Sequence, residues 1–196
     1  MPVEKRKKEW RVELEERRRK LSGEAAGRVA KMVAERLNAI ERLADAEVVA
    51  GYWPVNGELD LRSFLKKMGG KGKTVCLPRR HSDGGKLDYE MAELEKGDAD
   101  WNEGLTRGGF GIMEPLGGKV VDKTRIDAWL VPGVGFDRDG NRLGRGGGVY
   151  DELLDGASGL KIGVGSDCQV VESLPSEEHD RKMDAIVTEK ETIWVG

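Results

Sequence analysis

The run from Asp127 to Leu154, DAWLVPGVGFDRDGNRLGRGGGVYDELL, constrains this chain more than any other stretch. It opens with an apolar segment, Ala128 to Val131, that reads as a buried strand and breaks at Pro132-Gly133. An acidic turn, Asp137 to Gly140, follows. Next come Gly144, Gly146, Gly147 and Gly148, set around Arg142 and Arg145, and then Val149 to Leu154, which reads as the start of a helix. Strand, glycine loop and helix start is an arrangement that cradles phosphate, because glycines let backbone N–H groups converge on an anion. The helix dipole adds to this, two arginines supply positive charge, and Asp151 is placed to hold a divalent cation.

Pattern rules alone also allow a flexible surface loop. A Walker A loop needs Lys-Ser or Lys-Thr where Val149-Tyr150 stands, and a G-x-G-x-x-G reading from Gly144 fails at Val149.

The rest of the chain reads as strands alternating with helices. Glu4 to Leu21 is dense in charge, with Trp10, Leu14 and Leu21 near one face, which predicts a solvated helix with a thin apolar stripe. A second helix begins at Ser22-Gly23 and carries Ala26, Val29, Ala30, Val33, Leu37 and Ile40 at helical spacing, so N-terminal helices are expected over 4–43. Val48 to Trp53 predicts a buried strand ending at Pro54. Asp60 is expected to cap a helix whose face is Leu59, Phe64, Leu65 and Met68 and which stops at Gly69-Gly70. Thr74 to Leu77 predicts a strand ending at Pro78, and Leu160 to Val164 another. Arg79 to Arg107 has no long period. The alternation argues for an α/β fold with a largely parallel sheet, as one domain over residues 1–196.

Composition limits the function classes. With 38% hydrophobic and 35% charged residues and a formal net charge of −3, nothing draws the whole chain to nucleic acid or to an anionic membrane. No apolar run is long enough to span a bilayer, and the basic N-terminus leads into more charge, not into a secretory apolar region. Cys76 and Cys168 lie far apart in apolar contexts, which fits two buried thiols in a reducing cytoplasm better than a disulfide. His81 and His179 have no partners at metal-ligand spacing. A small-molecule substrate and a monomer or small homo-oligomer are expected.

The central run closely resembles the signature of the 5-formyltetrahydrofolate cyclo-ligase family, approximately V-P-x-x-A-F-D-x-x-G-x-R-L-G-x-G-x-G-Y-Y-D. The resemblance extends over nearly the whole chain. Lys7-x-x-Trp10-Arg11 is similar to the family's K-x-x-L-R, although Lys8 allows a register one residue on. Glu58 matches the glutamate of E-x-D-T, with Leu61 in place of Thr. Leu87 to Met91 is the nearest match to L-x-F-R-x-W, and Gly109 to Pro115 resembles G-x-x-G-I-x-E-P, either a rigid turn entering a strand or a substrate contact. Gln169 resembles the glutamine of A-x-x-Q. Leu174 to Asp180 follows L-P-x-E-x-H-D, and Met183 to Glu189 follows L-D-x-I-x-T-E. The adjacent His179-Asp180 is read as structural.

This resemblance implies a three-layer α/β/α fold and the ATP- and Mg²⁺-dependent conversion of 5-formyltetrahydrofolate to 5,10-methenyltetrahydrofolate, with ADP and phosphate released. It implies ATP contacts from Lys7, Arg11, Arg142, Leu143, Gly144, Arg145, Gly146, Gly147, Gly148, Val149 and Tyr150. Folate contacts would come from Glu58, Arg145, Gly146, Gly147, Gly148 and Val149. Arg145 and Tyr150 would serve catalysis, and Asp151 with Asp184 would hold Mg²⁺. Three positions depart from the family's pattern: Val149 replaces its first Tyr, Glu152 replaces an Arg, and Gly147 stands where some relatives have Lys. Two alternatives follow: a paralogue acting on another substrate, or a non-catalytic folate- or nucleotide-binding module.

Overall fold

The computed structural model describes residues 2–83, 86–94, 104–108, 112–177 and 180–196. Its helices are α1 (Val3–Arg19), α2 (Gly23–Asn38), α3 (Glu41–Asp45), α4 (Arg62–Gly70) and α5 (Val149–Leu154). The strands are β1 (Val48–Ala50), β2 (Thr74–Asp83), β3 (Lys86–Glu93), β4 (Leu105–Arg107), β5 (Met113–Pro115), β6 (Val120–Val121) and β7 (Ala128–Pro132). They continue with β8 (Gly135–Asp137), β9 (Arg142–Leu143), β10 (Leu160–Val164), β11 (Val170–Val171), β12 (Ala185–Val187) and β13 (Thr192–Trp194).

Eight strands form one sheet in the order β13-β12-β10-β7-β1-β2-β3-β6. The five central strands run parallel, and β13, β3 and β6 pair antiparallel at the edges. The α/β architecture with a largely parallel sheet is therefore present as expected. Period-two alternation sorts the core by face. Val49, Val75, Leu77, Ala128, Leu130 and Ile162 pack with α2, α3 and α4 residues such as Val33, Leu37, Leu43 and Phe64. Their neighbours Ala50, Cys76, Trp129 and Val131 face the other way, against Leu153 and Leu154 of α5 and Phe136 of β8. Leu14 of α1 joins Val134, Leu143 and Leu174 in a third cluster, which seats α1 over the small β11-β8-β9 sheet.

Three local expectations are corrected. The first strand is short, Val48–Ala50. The next runs on through Pro78 to Asp83, because β3 supplies a long antiparallel partner. Pro78 costs no ladder bond there: β1 pairs only as far as Cys76, and the Arg80 N–H, two residues on, points to Glu114 and not to β3. α4 begins at Arg62, whose N–H bonds the Asp60 carboxylate at 3.0 Å, so the helix starts later than Leu59; it ends at Gly70 as expected, with the left-handed turn following at Gly72 (φ +91°).

Connections leave β1 and β7 in opposite directions: β1 leads through α4 to β2, and β7 leads through α5 to β10. The crevice beyond the carboxyl ends of β1 and β7 is thus a topological switch point, where open α/β sheets bind ligands.

Candidate active site

A cavity of about 520 Å³ lies in that crevice. The chain leaving β1 contributes Tyr52, Trp53, Val55, Asn56 and Glu58. The β7 end contributes Pro132, Gly133 and Val134, and the glycine loop supplies every residue from Arg142 to Asp151. Lys7 and Arg11 reach in from α1, Pro78 and Tyr89 from the long hairpin, and Ile112, Met113 and Glu114 from around β5.

The glycine loop has the properties of an anion cradle. Gly146 (φ +90°) and Gly148 (φ +69°) use left-handed backbone that side chains rarely adopt. The N–H groups of Gly144 through Gly148 find no acceptor among the described residues. Arg11 Nε donates to the Gly144 carbonyl at 2.9 Å, fixing the start of the loop against α1. α5 follows at Val149, as the sequence predicts, and runs for 6 residues.

The cationic residues divide into two kinds. Arg145 is over a third exposed and arches across the cavity, with Nε 3.6 Å from Glu58 Oε1 and Nη2 donating to the Val55 carbonyl at 3.4 Å. Arg142 is instead buried beneath the loop. Its Nη2 donates to Asp151 Oδ1 at 3.0 Å, its guanidinium lies 5.4 Å from the centre of the Tyr150 ring, and its Nε has no partner among the described residues. The residue expected to hold phosphate therefore orients the residue expected to hold metal.

Of the two lysines that the sequence leaves open, Lys7 is buried at the cavity and Lys8 is exposed. Lys7 is already gripped, by Glu177 Oε2 at 2.8 Å and by Asp180 Oδ2 at 2.8 Å. Burial disfavours its charge, but hydrogen bonds to Asp180 and Glu177 outweigh that and hold its pKa above the ordinary lysine value. The Lys7 clamp gives Asp180 a place at the cavity; His179 lies outside the described residues.

Glu58 is nearly buried, and burial pushes its carboxyl pKa upward against the Val55 N–H, Arg145 and Arg18, which favour its charge. The Val55 N–H donates to Glu58 Oε2 at 3.0 Å. Burial likewise raises the phenols of Tyr52 and Tyr150 well above their ordinary range, with Glu58 adding to the effect. Both tyrosines are neutral at physiological pH and act as apolar walls with one polar tip. The Tyr52 hydroxyl donates to the Leu59 carbonyl at 2.7 Å.

Asp184 is not brought to the cavity. It is exposed at the entrance of β12, where its Oδ2 accepts the Lys161 N–H at 2.7 Å beside the start of β10. The cavity lies beyond the other end of these parallel strands, where Val164 pairs with Pro132. A carboxylate at a strand entrance has a backbone donor to satisfy it, and that is the role the structure gives Asp184. Among the described residues, no group of three or more His, Cys, Asp or Glu could hold a metal ion. Leu143 is buried and Val149 half-buried in the cavity wall.

Several residues that shape the site carry no assigned role in the sequence reading. Arg18 is buried on α1, donating to the Gly133 carbonyl at 3.2 Å and to the Asn56 carbonyl at 2.9 Å, so it ties the β7 end to the β1 loop. Gln169 Nε2 donates to the Gly133 and Val134 carbonyls at 2.9 and 3.1 Å. Tyr52, Trp53 and Tyr89 supply aromatic walls. Of the Gly109 to Pro115 motif, residues 109–111 lie outside the described residues, and Met113 and Glu114 line the cavity.

Comparison with known proteins gives a consistent result. Residues 3–189 match the model of the 5-formyltetrahydrofolate cyclo-ligase family. The 5-formyltetrahydrofolate cyclo-ligase of Escherichia coli K12 is 32% identical over 188 residues, covering 92% of this chain and 98% of that one. The protein of the same name from Mus musculus is 27% identical over 204 residues, covering 95% of each. Among solved structures, the 5,10-methenyltetrahydrofolate synthetase of Aquifex aeolicus superposes with a TM-score of 0.82 at 35% identity, covering 96% of this chain and 92% of that one.

Proposed function

The chain belongs to the 5-formyltetrahydrofolate cyclo-ligase family, and from that premise we propose that it converts 5-formyltetrahydrofolate and ATP to 5,10-methenyltetrahydrofolate, ADP and phosphate. The observation that carries the reading is a single cavity lined both by the glycine loop and by Glu58, with Arg145 bridging the two.

The chemistry explains why such a cavity is needed. A formamide oxygen is a poor leaving group, and ring closure requires its loss. Transfer of the γ-phosphoryl group to that oxygen lets it depart as phosphate once N10 attacks the formyl carbon and gives up its proton. The protein's task is then positioning and charge neutralisation. The N–H groups from Gly144 to Gly148 cradle the phosphates, with Arg11 at the start of the loop and Lys7 beside it. Arg145 stands between nucleotide and folate, where charge moves as the phosphoryl group transfers. Glu58 orients the pterin side, and Tyr150 and Val149 close the wall beside the reacting groups.

Asp151 suits a magnesium ion carried in with the nucleotide. It is a partly exposed carboxylate at the cavity with one oxygen on Arg142, and Mg²⁺ commonly takes one or two carboxylates plus substrate phosphates. When bound, the ion would neutralise phosphate charge. Arg142 contributes by holding Asp151 in place. No helix among the described residues is long and apolar enough to cross a membrane, and both cysteines are free thiols, which fits a cytoplasmic enzyme.

The test is phosphate release from MgATP across a panel of reduced folates. Release that requires 5-formyltetrahydrofolate supports the reading. Release without any folate points to a relative with another substrate, and folate binding without release points to a non-catalytic module.

A further inference from the structure

We propose that Glu114 determines folate specificity by accepting hydrogen bonds from the donor edge of the pterin ring. The inference rests on the cyclo-ligase reading and assigns a residue within the same cavity.

The cavity is divided by charge. Its β7 side, with the glycine loop and α1, holds Lys7, Arg11 and Arg145. Its far side begins two strands away at Pro78 of β2 and continues over Tyr89 of β3 to the β5 segment, with the apolar surfaces of Ile112 and Met113 beside one carboxylate, Glu114. Strands are spaced about 4.8 Å apart, so the two sides are separated by about 10 Å. Phosphate belongs with the cations. A flat, uncharged heterocycle belongs between apolar walls, and a carboxylate there selects for N–H donors.

The backbone is built around this carboxylate. Glu114 is 6% exposed, and its Oε2 accepts the Arg80 N–H at 3.0 Å. A Cβ at Gly108 would lie 2.1 Å from Glu114 Oε1, so a side chain there would push the carboxylate out of this position. That single N–H is the only donor to Glu114 among the described residues, and no cation pairs with it. A carboxylate accepts about four hydrogen bonds, so most of its capacity is open. The other carboxylates of the cavity are already engaged: Glu58 takes the Val55 N–H and faces Arg145, Asp151 holds Arg142, and Asp180 holds Lys7. The 2-amino-4-oxo edge of a pterin presents a ring N–H and an amino N–H side by side, which matches the two oxygens of a carboxylate.

Glu114→Gln keeps the size of the side chain and can still accept the Arg80 N–H, but cannot accept two donors from the ring. The expected result is a rise of about 10- to 100-fold in KM for 5-formyltetrahydrofolate, with the KM for ATP within about twofold and an unchanged thermal midpoint. A 2-desamino analogue of the substrate should bind wild type less tightly than the parent compound, and Glu114→Gln should remove most of that difference. Equal losses for both substrates with a lowered midpoint would make Glu114 structural and overturn the proposal. A change confined to ATP would mean that Glu114 reads adenine, and would overturn it as well. If wild type turns over 5-formyltetrahydrofolate and Glu114→Gln does so equally well, this inference fails and the cyclo-ligase reading stands. If wild type neither binds nor turns over that substrate, both fail.

Discussion

Arg142 Nη2 lies 3.0 Å from Asp151 Oδ1, so the groups that sequence assigns separately to phosphate and to metal are partners of each other beneath the glycine loop. Asp151→Asn should therefore act twice. It leaves the buried Arg142 guanidinium poorly compensated, lowering stability by about 1–3 kcal/mol, and it removes the only carboxylate proposed for magnesium. Chemical denaturation and a magnesium titration of activity would show both effects together.

Asp184 supplies the contrast. Asp184→Asn should leave the magnesium dependence of turnover unchanged and cost about 1 kcal/mol or less, since only the bond from the Lys161 N–H is weakened. A shifted magnesium requirement in this variant would contradict the placement of Asp184 outside the site.

The clamp on Lys7 separates two neighbouring lysines. Lys7→Met removes the cation shared by Glu177 and Asp180, and should cost about 1–3 kcal/mol and raise the KM for ATP at least about tenfold. Lys8→Met, on the exposed side of the same helix, should stay within about 0.5 kcal/mol of wild type. Thermal melts and ATP saturation curves on the pair check this directly.

Glycines within the loop are not equivalent. Gly147 lacks the left-handed backbone, and the nearest atom to an added Cβ is Val149 Cγ2 at 3.8 Å, so Gly147→Ala should fold almost normally. Gly146 has φ +90° with Arg11 at 3.5 Å, and Gly146→Ala should cost about 1–2 kcal/mol and lose more activity than Gly147→Ala. Comparable losses of stability in the two variants would contradict the loop conformation.

Glu58 links function to pH. Burial raises its carboxyl pKa, so the folded protein holds this proton more tightly than the unfolded chain does. That favours folding below the unfolded pKa. The advantage is lost as pH rises through the folded pKa, leaving the buried charge as a net cost at neutral pH. Glu58→Gln should raise the thermal midpoint at pH 7 and change it little at pH 4, while weakening folate binding. A lower midpoint at pH 7 would show that Arg145 and the Val55 N–H outweigh burial.

The parts of this molecule that local chemistry specifies were legible in sequence. Glycine punctuation marked the loop after β7, and helical periodicity marked the face of α2. What stayed hidden depends on residues distant in the chain. Lys7 meets Glu177 and Asp180 across 170 and 173 positions, and nothing near Lys7 announces them. Arg18 is one charge among many on α1, and its burial follows from where Gly133 and Asn56 happen to meet. Pro78 masked the length of β2, because a proline reads as a strand end until its hydrogen-bonding side is known. Asp184 matched a motif, but a match in sequence does not say which end of a strand faces the crevice.

The central claim is tested most directly by mixing purified protein with 5-formyltetrahydrofolate and MgATP and following the near-ultraviolet absorbance of the methenyl product. Product should appear only with both ATP and Mg²⁺, which would show that Val149 is compatible with turnover. No product, from folded protein that still binds ATP, would contradict the claim.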